Sequence, residues 1–378
     1  MEHLTEYHLE ELLEYEQPTA YIVSSTDYSD NYKTPVLTAG KSFILGYTNE
    51  TAGIFDRLPV IIFDDFTTAI QYVNFPFKVK SSAMKILHIN KDLVHPKYIF
   101  YRMQVIQFDH STHKRYWIQQ YSKIKVKLPS LPEQERIVAR IEELFSELDK
   151  AVETLNTTKQ QLAVYRQAVL KEAFDVTSDV MPLGEYIDSI EGGKSFKCIE
   201  VPPQIGECGI VKVSSVTWGE FNENESKTCD RNKFLPEKRI LPGDFLFSRA
   251  NTLQLVGNCV IVKHISKELM LSDKILRIKF KQQLLPQYAL YFLRSKNGRQ
   301  QIERLSTGNQ ESMRNIGQDR IRKILIPALD LCEQKRIVRA IGGRLSLCDQ
   351  TEKTIEQSLQ QAEALRQSIL KQAFEGRL

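Results

Sequence analysis

At 378 residues, with 42% hydrophobic and 26% charged side chains, the chain has room for two or three folding units and is neither disordered nor collagen-like in composition. Its 51 Lys and Arg against 47 Asp and Glu leave a formal charge of +4, an excess compatible with nucleic-acid binding but too small to prove it. No apolar run approaches the ~20 residues a bilayer needs, and the start of the chain, crowded by Glu2, Glu6, Glu10, Glu11, Glu14 and Glu16, is unlike a secretory signal, so a cytoplasmic protein with no membrane partner is expected.

Residues 1–127 form a first block. Strand-like runs such as Val60-Ile61-Ile62-Phe63 alternate there with turns and short helical stretches, and Lys114, Arg115, Lys123, Lys125 and Lys127 gather toward its end. Residues 128–177 read as one long helix, without proline after Pro129 and Pro132 and rich in Gln, Glu, Lys, Leu and Ala. Within it Ile137, Leu144, Ala151, Thr158 and Tyr165 recur every seven residues, and Ile141, Leu148, Leu155, Leu162 and Val169 interleave with them, which predicts a coiled-coil seam. At ~1.5 Å per residue such a helix is a rod on the order of 60 Å long. Residues 178–325 are a second mixed block, with Asp244-Phe245-Leu246-Phe247 and Cys259-Val260-Ile261-Val262 as strand-like runs. Arg294, Lys296, Arg299, Arg304, Arg314, Arg320, Arg322 and Lys323 lie toward its end. Residues 326–378 are a second long helix, weakened by Gly342-Gly343 and carrying Arg344 and Cys348 where the first has leucines.

The two helices are copies. Aligned without a gap at an offset of 200, residues 133–174 and 333–374 share 17 identities in 42 positions, from Glu133-Gln134 against Glu333-Gln334 to Ala173-Phe174 against Ala373-Phe374. The blocks are more divergent copies: Pro96 to Tyr101 parallels Pro286 to Tyr291, and Ile118, Val126, Leu128 and Pro129 parallel Ile316, Ile324, Ile326 and Pro327 at an offset of 198. The expected fold is therefore α+β: two globular domains separated by two long repeated helices that form an antiparallel intramolecular coiled coil, with approximate twofold symmetry. An intermolecular coiled coil is the other reading, but within one chain each helix already has its complement.

A charge run is usually a solvated face. Here it occurs twice, beside side chains suited to base edges: Trp117, Gln119 and Gln120 in one block, Asn309, Gln310, Ser312 and Asn315 in the other. Asn and Gln can bond adenine and Arg can bond guanine in the major groove, while Lys mostly neutralises phosphate. Lys114, Arg115, Trp117 and Gln119 in the first block, with Arg249, Asn309, Gln310 and Arg314 in the second, are the expected DNA-facing residues.

Catalytic motifs fail on inspection. Ala39-Gly40-Lys41-Ser42 and Gly192-Gly193-Lys194-Ser195 end like a phosphate loop, but the earlier glycine is Pro35 in one and Asp188 in the other. Asn74-Phe75-Pro76-Phe77 departs from the amino-methyltransferase tetrapeptide at its second residue. His110 and His113 beside Asp109 make an isolated His-x-x-His in a polar stretch, and no metal is expected. Glu333 and Lys335 with Asp319 loosely suggest a nuclease set, yet the first copy has Glu135 in place of the lysine. Asp64-Asp65 has no acid/base partner in sight and reads equally as DNA-facing or structural. The six cysteines lack metal-site spacing and read as reduced, mostly buried thiols.

The paired segments Pro, Glu-Gln-x-Arg-Ile-Val and Arg-Gln-x-x-Leu-Lys-x-Ala-Phe make the chain resemble the specificity subunits of Type I restriction-modification systems over essentially its whole length. Leu183-Gly184-Glu185 and Pro242-Gly243-Asp244-Phe245-Leu246-Phe247-Ser248-Arg249 look like the start and core of a target recognition domain; the first block has Pro59 to Phe66 at the equivalent place. The resemblance implies target recognition domains at 1–127 and 178–325 and repeated helices at 128–177 and 326–378. It implies a noncatalytic subunit that reads a bipartite, asymmetric DNA site. Two modification subunits would dock on the helices, with Arg136, Arg166, Arg336 and Arg366 as expected contacts, and restriction subunits would join them. S-adenosylmethionine, ATP and Mg would belong to those partners, leaving this chain without a cofactor. A simpler system with one methylating and cutting partner, or a standalone DNA-binding regulator, are the alternatives.

Overall fold

The computed structural model describes residues 4–38, 42–108, 116–174, 179–217 and 219–378. By compactness the chain divides into two units, Met1–Asn156 with Glu356–Leu378, and Thr157–Ile355. Each unit thus combines one head with half of the central helix, Leu131–Phe174, and half of the distal helix, Leu331–Phe374.

In the first unit the head is built on a four-stranded antiparallel sheet, in the order Leu13–Glu16, Met84–Ile89, Val60–Asp64, Ile70–Val73. Val60–Asp64 is buried at every position, as a continuous apolar run predicts for a central strand covered on both faces. Its side chains sort with period two: Ile61 and Phe63 enter the core around Leu87, Trp117 and Tyr121, while Val60 and Ile62 enter a separate core with Phe55, Phe77 and Val79. A three-stranded sheet (Ile44–Thr48, Thr34–Leu37, Lys78–Val79) covers the second face, and the helix Pro96–Gln104, opened by proline at its first turn, packs on the first. Strand Thr5–His8 closes on Lys125–Leu128, which leads into the central helix.

The second head repeats this plan. Its main sheet runs Ile187–Gly192, Ile275–Phe280, Phe245–Ser248, Cys259–Ile261. A three-stranded sheet (Ser226–Cys229, Cys208–Val211, Glu268–Met270), the helix Pro286–Arg294 and the strand pair Val180–Pro182 with Leu325–Pro327 complete it. The homology of the blocks is therefore structural, with one correction to the register. Leu9 N donates to Ile124 O at 3.0 Å and Leu183 N donates to Ile324 O at 2.7 Å, so the offset of 200 runs on through the ends of the heads, and the match at 198 only aligned neighbouring apolar residues. The second head also carries a helix, Lys296–Leu305, and a small sheet of Ala250–Asn251, Met313–Asn315 and Thr307–Gln310.

The helices pair antiparallel inside the chain. In the second unit Arg166 bonds Asp349 at 2.7 Å and Glu352 at 2.9 Å, and Arg344 bonds Glu172 at 2.7 Å; in the first unit Arg366 pairs with Asp149. The aromatic tips of the repeats are anchored alike, Phe374 edge-on to Tyr98 in one unit and Phe174 edge-on to Tyr288 in the other. The predicted seam is followed in part. Ile141 and Val169 are buried, and Ile137 and Leu144 pack with Ile369 and Leu370 of the distal helix, but further along Tyr165 is 47% exposed and Ala151 is exposed, and Val152, Lys159 and Arg166, in line with the buried Phe145, are half-buried instead. Arg166 takes its place there because its methylene stem covers apolar surface while its head reaches Asp349 and Glu352, which a search for apolar residues alone passes over. Arg344 accordingly lies outside the seam, and Cys348 is buried within it.

Gln134 and Gln334 join each head to its helix. Gln134 is 1% exposed; its Oε1 accepts from His95 N at 2.8 Å and its Nε2 donates to Pro129 O at 3.0 Å. Gln334, equally buried, accepts from Leu285 N at 2.9 Å and donates to Gln283 O and Leu329 O, both at 2.9 Å. Both hold the turn that opens the head helix, whose free backbone groups need partners.

Candidate nucleic-acid interface

The second head gathers all four of its expected DNA-facing residues on one corner. Arg249 follows the central strand Phe245–Ser248, and its carbonyl accepts from Ile316 N at 2.9 Å. Strand Ala250–Asn251 continues from it and pairs with Met313–Asn315, the second arm of a hairpin whose first arm, Thr307–Gln310, carries the exposed Asn309 and Gln310. Gly308, at φ +138°, allows the close turn: a Cβ there would lie 2.3 Å from Met313 O. Arg314 has a different part from the one expected. Its guanidinium donates to Gly308 O at 2.8 Å, Ser306 O at 3.0 Å and Ser306 Oγ at 3.2 Å, so it clamps the hairpin from within rather than presenting its whole fork to a base.

The basic run around this corner is partly internal as well. Arg294 caps Cys259 O and Gly219 O, Arg299 caps Val256 O and Gln254 O, and Arg320 caps Leu305 O. Burial pulls the Arg299 guanidinium below its ordinary value, and Glu303 partly offsets this. Arg304 and Lys323 are exposed.

In the first head the corresponding corner carries a different charge at its strand end. Tyr116 N donates to Asp65 O at 3.0 Å, the counterpart of the Ile316 to Arg249 bond, so Asp65 occupies the position of Arg249. Asp65 is buried; its carboxylate accepts from Trp117 N at 2.9 Å and lies 3.5 Å from the buried Lys85 ammonium. The Asp64 carboxylate accepts from Phe66 N and Thr67 N, closing the turn after the strand. Both aspartates are thus structural. Trp117 is 1% exposed and packs on Phe63 and Tyr121, so it belongs to the core and not to a DNA face. An aromatic in a polar stretch looked like a reading residue; the turn of helix Tyr116–Gln119 carries it inward instead. Gln119 is exposed. Lys114 and Arg115, like His110 and His113, lie outside the described residues. Lys123 and Lys125 are paired with Glu10 and Glu6 on the neighbouring segments, and each lysine bond holds its glutamate below the ordinary carboxylate value.

Cys208, Cys229, Cys259 and Cys348 are buried thiols, Cys198 is half-buried and Cys332 exposed. Burial pushes the Cys229 thiol up to about 12 and raises that of Cys259. Among the described residues no cluster of His, Cys, Asp and Glu is arranged to hold a metal ion, and no helix is long and apolar enough to cross a membrane.

Residues 1–162 match the family described as Type I restriction modification DNA specificity domain. Over 356 residues the chain is 32% identical to the Type I restriction enzyme EcoR124I/EcoR124II specificity subunit of Escherichia coli, covering 88% of this chain and 84% of the relative. The chain belongs to the Type I restriction specificity subunits. The EcoKI specificity subunit of Escherichia coli strain K12 is a more distant relative, 27% identical over 281 residues, 68% of this chain and 58% of that one. Specificity subunits are the noncatalytic, DNA-recognising members of their enzymes. The fold agrees: a solved chain from a study of complex assembly and conformational transition of the type I R-M system superposes with a TM-score of 0.69 at 19% identity, over 99% of this chain and 98% of its own. The HsdS subunit from Thermoanaerobacter tengcongensis does so with a TM-score of 0.50 at 17% identity, over 99% and 97%.

Sequence reasoning missed two features of this specificity subunit. The exchange of Asp65 for Arg249 was visible only as Phe63-Asp64-Asp65 against Phe247-Ser248-Arg249, once strand register aligned them. The hairpin Thr307–Asn315 had a weaker signal, Gly308-Asn309 between polar residues.

Proposed function

We propose that this specificity subunit reads a split, asymmetric DNA sequence, one part with each head, and holds two modification subunits on its paired helices. The observation that supports two different half-sites is the unlike residue at the equivalent strand ends: Arg249 in the second head and a buried Asp65, held by Lys85 and the Trp117 amide, in the first. Arg249, Asn309 and Gln310 contact base edges, with Arg314 fixing the hairpin that carries two of them. In the first head Gln119 is the exposed candidate, with Lys114 and Arg115 as phosphate contacts. Arg136 and Arg336 face solvent on equivalent turns, each braced by Glu133 or Glu333, and are the proposed docking contacts; Arg166 and Arg366 are engaged between the helices and hold the platform together. The modification subunits supply adenine methylation from S-adenosylmethionine, and restriction subunits supply ATP- and Mg-dependent cleavage, in the cytoplasm.

The test is a head exchange. The chain, assembled with its cognate modification subunits, is expected to direct adenine methylation at one bipartite sequence, and replacing residues 1–127 by another head is expected to change one half of that sequence only. Methylation by the isolated chain, or a change in both halves at once, would sink the proposal. A single-partner system would show itself as cleavage without separate restriction subunits, and a regulator as tight binding to identical half-sites without any partner.

A further inference from the structure

The first head carries an exposed aromatic ring on an unusually well-braced turn. Of the chain's eighteen phenylalanines, all of them in the described residues, Phe66 alone is exposed, at 51%. It sits at the corner where the buried strand Val60–Asp64 turns back into Ile70–Val73. The residue before it, Asp65, is tied to the core by the Trp117 amide, the Tyr116 amide and Lys85. Its own amide donates to the Asp64 carboxylate at 2.8 Å, Thr67 N donates to the same oxygen at 3.2 Å, and Asp64 N donates to Ala69 O at 2.8 Å. Two residues further on, Thr68 is held at φ +56°, a left-handed conformation that a β-branched residue adopts only when its surroundings force it.

A lone exposed apolar side chain needs no explanation. Three circumstances set Phe66 apart. Its backbone is held in place, so the ring gives up little freedom when it meets a ligand. The strain at Thr68 would be relieved by almost any looser turn, and the turn keeps it. The position adjoins Asp65, the counterpart of Arg249 at the reading corner of the second head, so Phe66 stands where a head of this fold meets its DNA if the proposed function holds. The deep groove of B-DNA offers a rigid, uncharged ring one apolar feature, the C5-methyl group of thymine.

We infer that Phe66 reads a thymine methyl group in the first half-site. The inference rests on the assignment of the heads to half-sites. It adds an apolar specificity residue to the polar and basic candidates of the first head.

The experiment uses the complete complex with modification subunits and a duplex carrying its methylated site. Each thymine of the first half-site is replaced in turn by deoxyuridine, which removes only the methyl group. With the native chain one replacement is expected to weaken binding roughly tenfold. With Phe66→Ala the parent duplex is bound about as weakly as that, and the same replacement has no further effect. Phe66→Leu should retain part of the discrimination. The side chain is exposed, so both variants should unfold at the native temperature. Equal sensitivity of the Phe66→Ala complex and the native complex to the missing methyl would overturn the inference, as would a first half-site without thymine in either strand or one in which no methyl matters. Failure of the underlying reading has a different signature: the head exchange alters both halves at once, or the isolated chain methylates DNA.

Discussion

Arg166 on the central helix reaches Asp349 on the distal helix at 2.7 Å, and the repeat places Arg366 against Asp149 in the same way. The bonds are reciprocal because the repeat is exact in spacing: an antiparallel pair of copies meets itself in one register, and a polar pair in the seam penalises the others. Arg366 also lies over the Phe145 ring at 4.3 Å, and Arg166 has a second carboxylate, Glu352.

We predict that Arg166→Ala lowers stability by about 1 kcal/mol, since the pair is partly solvated. A double-mutant cycle with Asp349→Ala should show coupling of ~0.5–1 kcal/mol in urea unfolding. The exchange Arg166→Asp with Asp349→Arg should recover most of the loss and leave assembly with modification subunits intact. Assembly that stays defective in a restored helix pair would instead make Arg166 a partner contact.

Gln134 and Gln334 are expected to behave alike. Replacing either by alanine leaves a buried backbone amide and carbonyls without partners, a cost of about 2–3 kcal/mol. Gln→Glu should cost no less, because a carboxylate cannot donate the Nε2 bonds to Pro129 O or Gln283 O. Denaturant titration of the single variants measures this directly.

Trp117→Ala should destabilise the first head by about 3–5 kcal/mol, whereas Trp117→Phe should be milder and should leave the methylated sequence unchanged. An altered first half-site with unaltered stability would return Trp117 to the DNA face.

The acid limb of stability should depend on Glu191. Burial raises its pKa, but bonds from Lys279 and Lys238 and the Arg277 charge outweigh this and hold the carboxyl below its ordinary value of 4.5. A carboxyl with a lowered folded-state pKa contributes stability above its unfolded value, and that contribution is lost as pH falls through the folded one. Glu191→Gln is therefore expected to be less stable at neutral pH and to lose less on acidification below about pH 4.5. Unfolding curves of both proteins from pH 7 to 3 that run parallel would exclude the cluster.

Much of the architecture is a local property of the chain. Two proline-free, Gln- and Leu-rich stretches with 17 identities in 42 positions must form the same helix twice, and Val60–Asp64 or Phe245–Ser248 could only be central strands. The repeat also made an intramolecular pair the economical reading. What tertiary structure decided is which way individual side chains face. Heptad spacing alone does not distinguish the line through Ile137 and Tyr165 from the one through Phe145 and Arg166, because both flank Ile141 and Val169; packing uses Ile137 and Leu144 of the first at one end and Arg166 of the second at the other, where an arginine satisfies a carboxylate across the seam. Trp117, expected at the DNA face, turns inward from its basic stretch, while Phe66 at the end of the buried strand faces outward. Arg249 and Asp65 became counterparts only through strand register and the amide bonds from Ile316 and Tyr116. Pattern and propensity act over a few neighbours and so determine elements; the direction of a side chain at the end of an element depends on hydrogen bonds from residues 50 or more positions away in the chain, as Trp117 N to Asp65 is.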